Sequence, residues 1–182
     1  MTTGGDFELT MQELRVVARF AAESAQEVLP VFERAHPADA RPRAALDAAW
    51  VFVDGAKRTM LQRTTSLDAH RAAKVASTDS ARLAARAAGD AAAAAYLHPL
   101  AKAHQVGHIL RASACAALIA ELEADGDEVV GDAAIERHRQ RATPELVDVL
   151  SRYPTAPSDR SRLGRLVSAL DAALRRSRPT AR

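Results

Sequence analysis

The sequence predicts an all-α fold: a single-domain bundle of seven or eight helices around one central apolar helix. Three observations carry this expectation. Alanine fills 42 of the 182 positions while aromatics make up 4%, so a core has to form by close approach of small side chains, which helices allow at little entropic cost. Glycine and proline number eight each, too few for a turn-rich sandwich or barrel, and no alternating β-branched run of strand length occurs. Apolar residues instead recur three and four positions apart over most of the chain.

Taken in order, Thr10 and Glu13 form a capping box ahead of Met11, Leu14, Val17, Ala18, Ala21 and Val28, which predicts a first helix over 10–28. Pro30 then opens a separate short turn. Pro42 suits the first turn of a helix over 42–53 whose stripe is Leu46, Ala49, Trp50 and Val53. Helices over 59–76 and from Asp79 to Leu97 follow, the second ended by Pro99, which lacks an amide donor and restricts the residue before it. The most apolar segment, 99–124, is the expected central helix. Asp132 is read as the cap of the next helix, Thr143 and Pro144 as the start of another, and Leu163, Leu166, Val167, Leu170 and Leu174 as the stripe of an amphipathic last helix. The domain is expected over 10–176, between a flexible N-terminus (1–9) and a flexible basic tail (177–182).

Composition excludes several classes. A single cysteine, Cys115, permits no internal disulfide, and no charged-then-apolar leader or membrane-length apolar run is present, so a cytoplasmic protein with no membrane association is expected. Net charge is +2, and it is uneven. Residues 1–33 carry six acids against two arginines, whereas 158–182 carry seven arginines against Asp159 and Asp171, which implies terminal helices packed near each other or solvated faces, or else an acidic or nucleic-acid partner for the basic end. Nucleic acid is the weaker reading, because "ERHRQR" at 136–141 has no interleaved aromatics for base stacking.

Three of six histidines fall within "YLHPLAKAHQVGH" at 96–108. On a helix His104 and His108 share a face with Arg111 and Cys115. The pair resembles half of a zinc-protease motif, but Gln105 stands where the glutamate base belongs, so nothing there could deprotonate a metal-bound water. A metal at His104 and His108 would need a further ligand from His70, Asp68, His138 or Glu136. The competing readings are half-buried histidines bonded to neighbouring helices, and a contact surface for a partner made of His70, His104, His108 and Arg111. Cys115 lies in apolar "SACAALIA" and is expected to be inert. "RPR" at 41–43 reads as an ion-paired helix start before a phosphate site, and "LDAHRAAK" at 67–74 as a solvated face.

The segments "FERAHPADARPRAALDAAWVFVDG", "DAHRAAK" and "AARAAGDAAAAAYLHPLAKAHQVGHILRASACAA" together resemble the helical immunity-protein (Imm-like) family of bacterial polymorphic toxin systems, over about residues 28–175. The resemblance implies a helical cytosolic domain that neutralises a toxin-like protein partner by binding it. No catalytic activity of its own and no cofactor are expected, because no nucleophile, base and stabiliser fall at workable spacings in the sequence. The resemblance assigns no functional residues. Homo-oligomerisation stays open.

Overall fold

In the computed structural model, which describes residues 7–157 and 159–177, eight α-helices account for nearly all regular structure, and no strand occurs among the described residues. They are α1 (Met11–Ala35), α2 (Arg41–Val53), α3 (Met60–Lys74), α4 (Asp79–Ala93), α5 (Val106–Glu123), α6 (Glu128–Arg141), α7 (Pro144–Ser151) and α8 (Arg162–Arg176). Side-chain caps set most starts: Thr10 and Thr59 with full capping boxes, and Thr78, Asp127, Thr143 and Ser161 each accepting from an amide of the first turn.

Two helices share the interior. α4 packs on α1, α2, α3 and α5, while α5 packs on α1, α4, α6 and α8. The buried positions of α4 are almost all alanine, with Leu83, Gly89 and Asp90, so neighbouring backbones approach closely. Bulk comes from elsewhere, chiefly Phe20, Leu29 and Phe32 of α1, Leu46 and Phe52 of α2, and Leu166, Leu170 and Leu174 of α8. Among the described residues no helix is long and apolar enough to cross a membrane.

Three boundaries differ from expectation. Pro30 does not end the first helix, which continues to Ala35: it sits on the solvent face between buried Leu29 and Phe32, so the carbonyl it leaves unbonded can be hydrated while the apolar stripe continues. The central helix starts at Val106, after a 3₁₀ turn at Ala103–Gln105, and not at 99. Tertiary bonds hold 97–102 out of helix: Phe7 N donates to Pro99 O, Tyr153 Oη to His98 O, and His98 N to Gln105 Oε1. Asp132 is interior to α6, whose cap is Asp127, reached through a tight turn with Asp125 (φ 55°) and Gly126 (φ 82°) left-handed. Gly131, in the first turn of α6, is a packing glycine, since a Cβ there would strike the Glu121 carboxylate.

Residues 1–6 and 178–182 of the expected flexible ends lie outside the described residues. Phe7 meets Tyr153 edge-on at 4.9 Å.

Candidate polar groove between three helices

The expected stripe is divided: His104 lies in the 3₁₀ turn ahead of α5 and shares a depression with Arg111, whereas His108 opens into another with His98, and the organising residue is one that spacing alone did not single out. Asp90, fully buried in the alanine run of α4, accepts from Arg111 of α5 through both oxygens, Nε to Oδ2 and Nη2 to Oδ1 at 2.7 Å each. His70 of α3 places Nε2 3.6 Å from Oδ1. A buried carboxylate persists only when paired and hydrogen-bonded, so α4 and α5 are tied at this point, with the His70 ring of α3 packed close by but beyond hydrogen-bond distance. The signal was a lone acid within "AAGDAAAAA". Gly89 completes the arrangement: a Cβ there would come within 2.9 Å of His70 Nε2, and Ser66 Oγ donates to the Gly89 carbonyl at 2.8 Å.

Around this knot the surface is indented three times. Arg111, Arg86, His104 and Gly107 line a depression of about 250 Å³ against the start of α8. His70, Lys74, Arg82 and Arg86 line another of about 360 Å³. His108 and His98 line a third of about 200 Å³ with Arg63, Ser66, Leu67 and Tyr96. The predicted residues are thus gathered on one face, yet His70, His104 and His108 open into different depressions. Burial weakens proton binding by His70 and His108, helped by the Arg111 charge and opposed by Asp90. Both rings act as neutral hydrogen-bonding groups at pH 7, and the fixed positive charge of the face comes from its arginines and Lys74.

The other candidates sort by their partners. His104 Nε2 lies 2.8 Å from the Gln105 amide nitrogen, which can only donate, so the lone pair a metal would need is already engaged. Glu136 is paired with Arg139 and Asp68 with Arg71, and buried His138 accepts from Arg141 through Nδ1. Among the described residues no group of three or more His, Cys, Asp or Glu side chains is arranged to hold a metal ion. The Cys115 thiol is buried, and desolvation pushes its pKa up to about 12. Arg41 is held by Asp39 and Arg43 by Glu33, so "RPR" is an ion-paired helix start. His98 fixes the bend at Pro99 through its backbone, while its side chain is exposed.

Three of the five arginines described at the C-terminal end are spent internally. Arg162 is shared by Glu121, Glu128 and Asp132, Arg165 pairs with Glu128, and Arg175 holds Asp171 and the carbonyls of Leu150, Tyr153 and Pro154. The acids of α1 find their arginines elsewhere, Glu13 at Arg152 and Glu23 and Glu27 at Arg141. A nucleic-acid surface built on these arginines therefore loses most of its charge.

A family model matches residues 8–145, three quarters of the chain, under the description Imm-5 like putative immunity protein. The chain belongs to this family. The match contains α1 to α6, and so every residue that builds the Asp90 knot, but only the first two residues of α7 and none of α8. It starts and ends earlier than the span of about 28–175 over which the sequence resembles the family. No curated protein and no solved structure matches the chain.

Proposed function

We propose that the protein is an immunity-type binder, acting in the cytoplasm, that neutralises a toxin or other protein partner by direct contact through the face formed by His70, His104, His108 and Arg111. The observation that supports this reading is the Asp90 knot. Arg111 is held bidentate by a buried acid, yet a quarter of its side chain faces solvent at the mouth of a depression. A guanidinium fixed in this way has already lost its side-chain freedom, so contacting a partner costs little further entropy. The family is described as one of immunity proteins, which suits a protein partner, and this is a pre-organised polar surface. The reading assigns the protein no reaction of its own.

The test begins with capture of the partner from the source cells by the immobilised protein. The captured protein, expressed alone in a foreign host, is expected to arrest growth, and co-expression of this chain to relieve the arrest. His108→Ala with Arg111→Ala should abolish relief, whereas Arg160→Ala with Arg176→Ala should not. Arg175 is unsuitable as a control because its bonds hold the 150–154 segment. A captured protein that leaves growth untouched in both settings refutes the reading.

A further inference from the structure

The groove carries charge that the protein answers only in part: Asp159 lines the depression at the start of α8 together with Arg86 and Arg111, without coming within ion-pair distance of either. Along α3, Arg63, His70 and Lys74 fall on one face, and along α4, Arg82, Arg86 and Asp90 do the same. Arg82 is paired with Asp79 and Arg111 with Asp90. Among the described residues, no carboxylate lies within ion-pair distance of Arg63, Lys74 or Arg86, although elsewhere most arginines are matched. Arg86 stands between two of the depressions and lines both. The one carboxylate at the centre, Asp90, is already taken up by Arg111 and His70. A low net charge of +2 therefore conceals a locally cationic face.

The same face also carries an exposed apolar side chain: Leu67, 53% exposed, lines a depression with Arg63, and Met60 and Val75 at the two ends of α3 are exposed as well. α3 is an outer helix that packs mainly on α2 and α4. An exposed apolar side chain beside unpaired cations suits contact with a protein and adds little to phosphate binding. Tyr96, the aromatic of the groove, is covered by Arg58 and Arg63 at 5.3 and 5.6 Å from its ring centre, so it is not free to stack on a base.

We infer that the groove between α3, α4 and α5 receives an acidic segment of the protein partner. Its Asp and Glu carboxylates would meet Arg63, Lys74, Arg86 and the outward edge of Arg111, and its apolar side chains would cover Leu67 and its neighbours. This rests on the immunity-type reading and adds to it the chemistry of the partner. Fixed cations steer an acidic segment in, and burial of Leu67 and Val75 slows its departure.

The experiment needs no toxin. Fluorescence anisotropy of the full chain is measured with three labelled probes: a peptide alternating glutamate and leucine, the same peptide with glutamine for glutamate, and a single-stranded DNA of equal charge. The glutamate peptide is expected to bind, with affinity falling steeply as salt rises. Lys74→Glu with Arg86→Glu should weaken it about tenfold, since two exposed contacts are lost and replaced by repulsion, while Arg160→Glu with Arg176→Glu should leave it within about twofold. The neutral pair Lys74→Gln with Arg86→Gln, checked for an unchanged helical spectrum, should lie in between and guards against a folding defect. The inference is overturned if the glutamine peptide binds as well, if DNA binds more tightly, if nothing binds, or if the control pair loses as much. Growth relief that persists when the acidic peptide fails to bind removes this inference alone and leaves the immunity-type reading standing.

Discussion

Two buried carboxylates, Asp90 on α4 and Glu121 on α5, each take an arginine from a neighbouring helix, yet their surroundings differ. Glu121 is 5% exposed and receives Arg162, whose other donors reach Asp132 and the carbonyl of Glu128, with Arg165 adding a further pair to Glu128. Acids and arginines there are about matched. Asp90 receives Arg111 and His70 among cations that outnumber acids, at the edge of open depressions. The same local motif closes one end of the bundle and leaves the other with unanswered charge. Burial of a pair therefore says that a joint exists, and the balance around it says whether that joint also faces a partner.

Breaking the two joints should expose the difference. Asp90→Ala leaves Arg111 and the half-buried His70 without their acid, and should cost about 3 kcal/mol, toward the lower end for broken buried pairs because Arg111 can still reach water. Glu121→Ala leaves Arg162 with Asp132 and Glu128, and should cost about 1 kcal/mol. Chemical denaturation of both variants checks the order. Equal losses would mean that the neighbouring acids do not share Arg162.

A smaller effect sharpens the packing side. Gly89→Ala should destabilise by about 2 kcal/mol, because the new methyl displaces His70 from Asp90 and this outweighs the better helix propensity of alanine. Adding His70→Ala should restore most of that loss, and a double variant no more stable than the single one would show that His70 is not what Gly89 accommodates.

Acid should weaken the fold through its buried imidazoles. Desolvation, with the Arg141 charge next, pushes the His138 pKa from 6.5 down to about 3, and His70 and His108 shift in the same direction. The unfolded chain then binds more protons than the folded one below about pH 6.5, so stability falls as pH drops from there toward about 3 and is fully present above. His138→Gln should flatten the slope of denaturation midpoint against pH. An unchanged slope would place the titration elsewhere.

The fold was largely legible because its cues are local: caps at Thr10 and Thr143, and stripes at helical spacing. It failed at Pro30, whose solvent-facing position lets the helix run on, at 97–102, held out of helix by bonds to Phe7, Gln105 and Tyr153, and at Asp132, which lies inside a helix capped by Asp127. His104, His108 and Arg111 were legible as sequence neighbours, but His104 falls in the 3₁₀ turn and opens into a different depression from His108. Asp90, Arg86 and Lys74 matter through partners on other helices, or through lacking them, and no spacing within one helix reports that. The C-terminal arginines misled for the converse reason: Arg162 and Arg165 are paired with acids far away in sequence, and Arg175 with Asp171 one turn back in its own helix.

The most direct test of the contrast compares Arg111→Gln with Arg162→Gln, measuring affinity for the captured partner alongside unfolding free energy. The account predicts that Arg111→Gln loses about tenfold or more in affinity beyond what its folded fraction explains, while folded Arg162→Gln binds as the unaltered protein does. Equal losses in affinity, or a larger loss for Arg162→Gln, would contradict it.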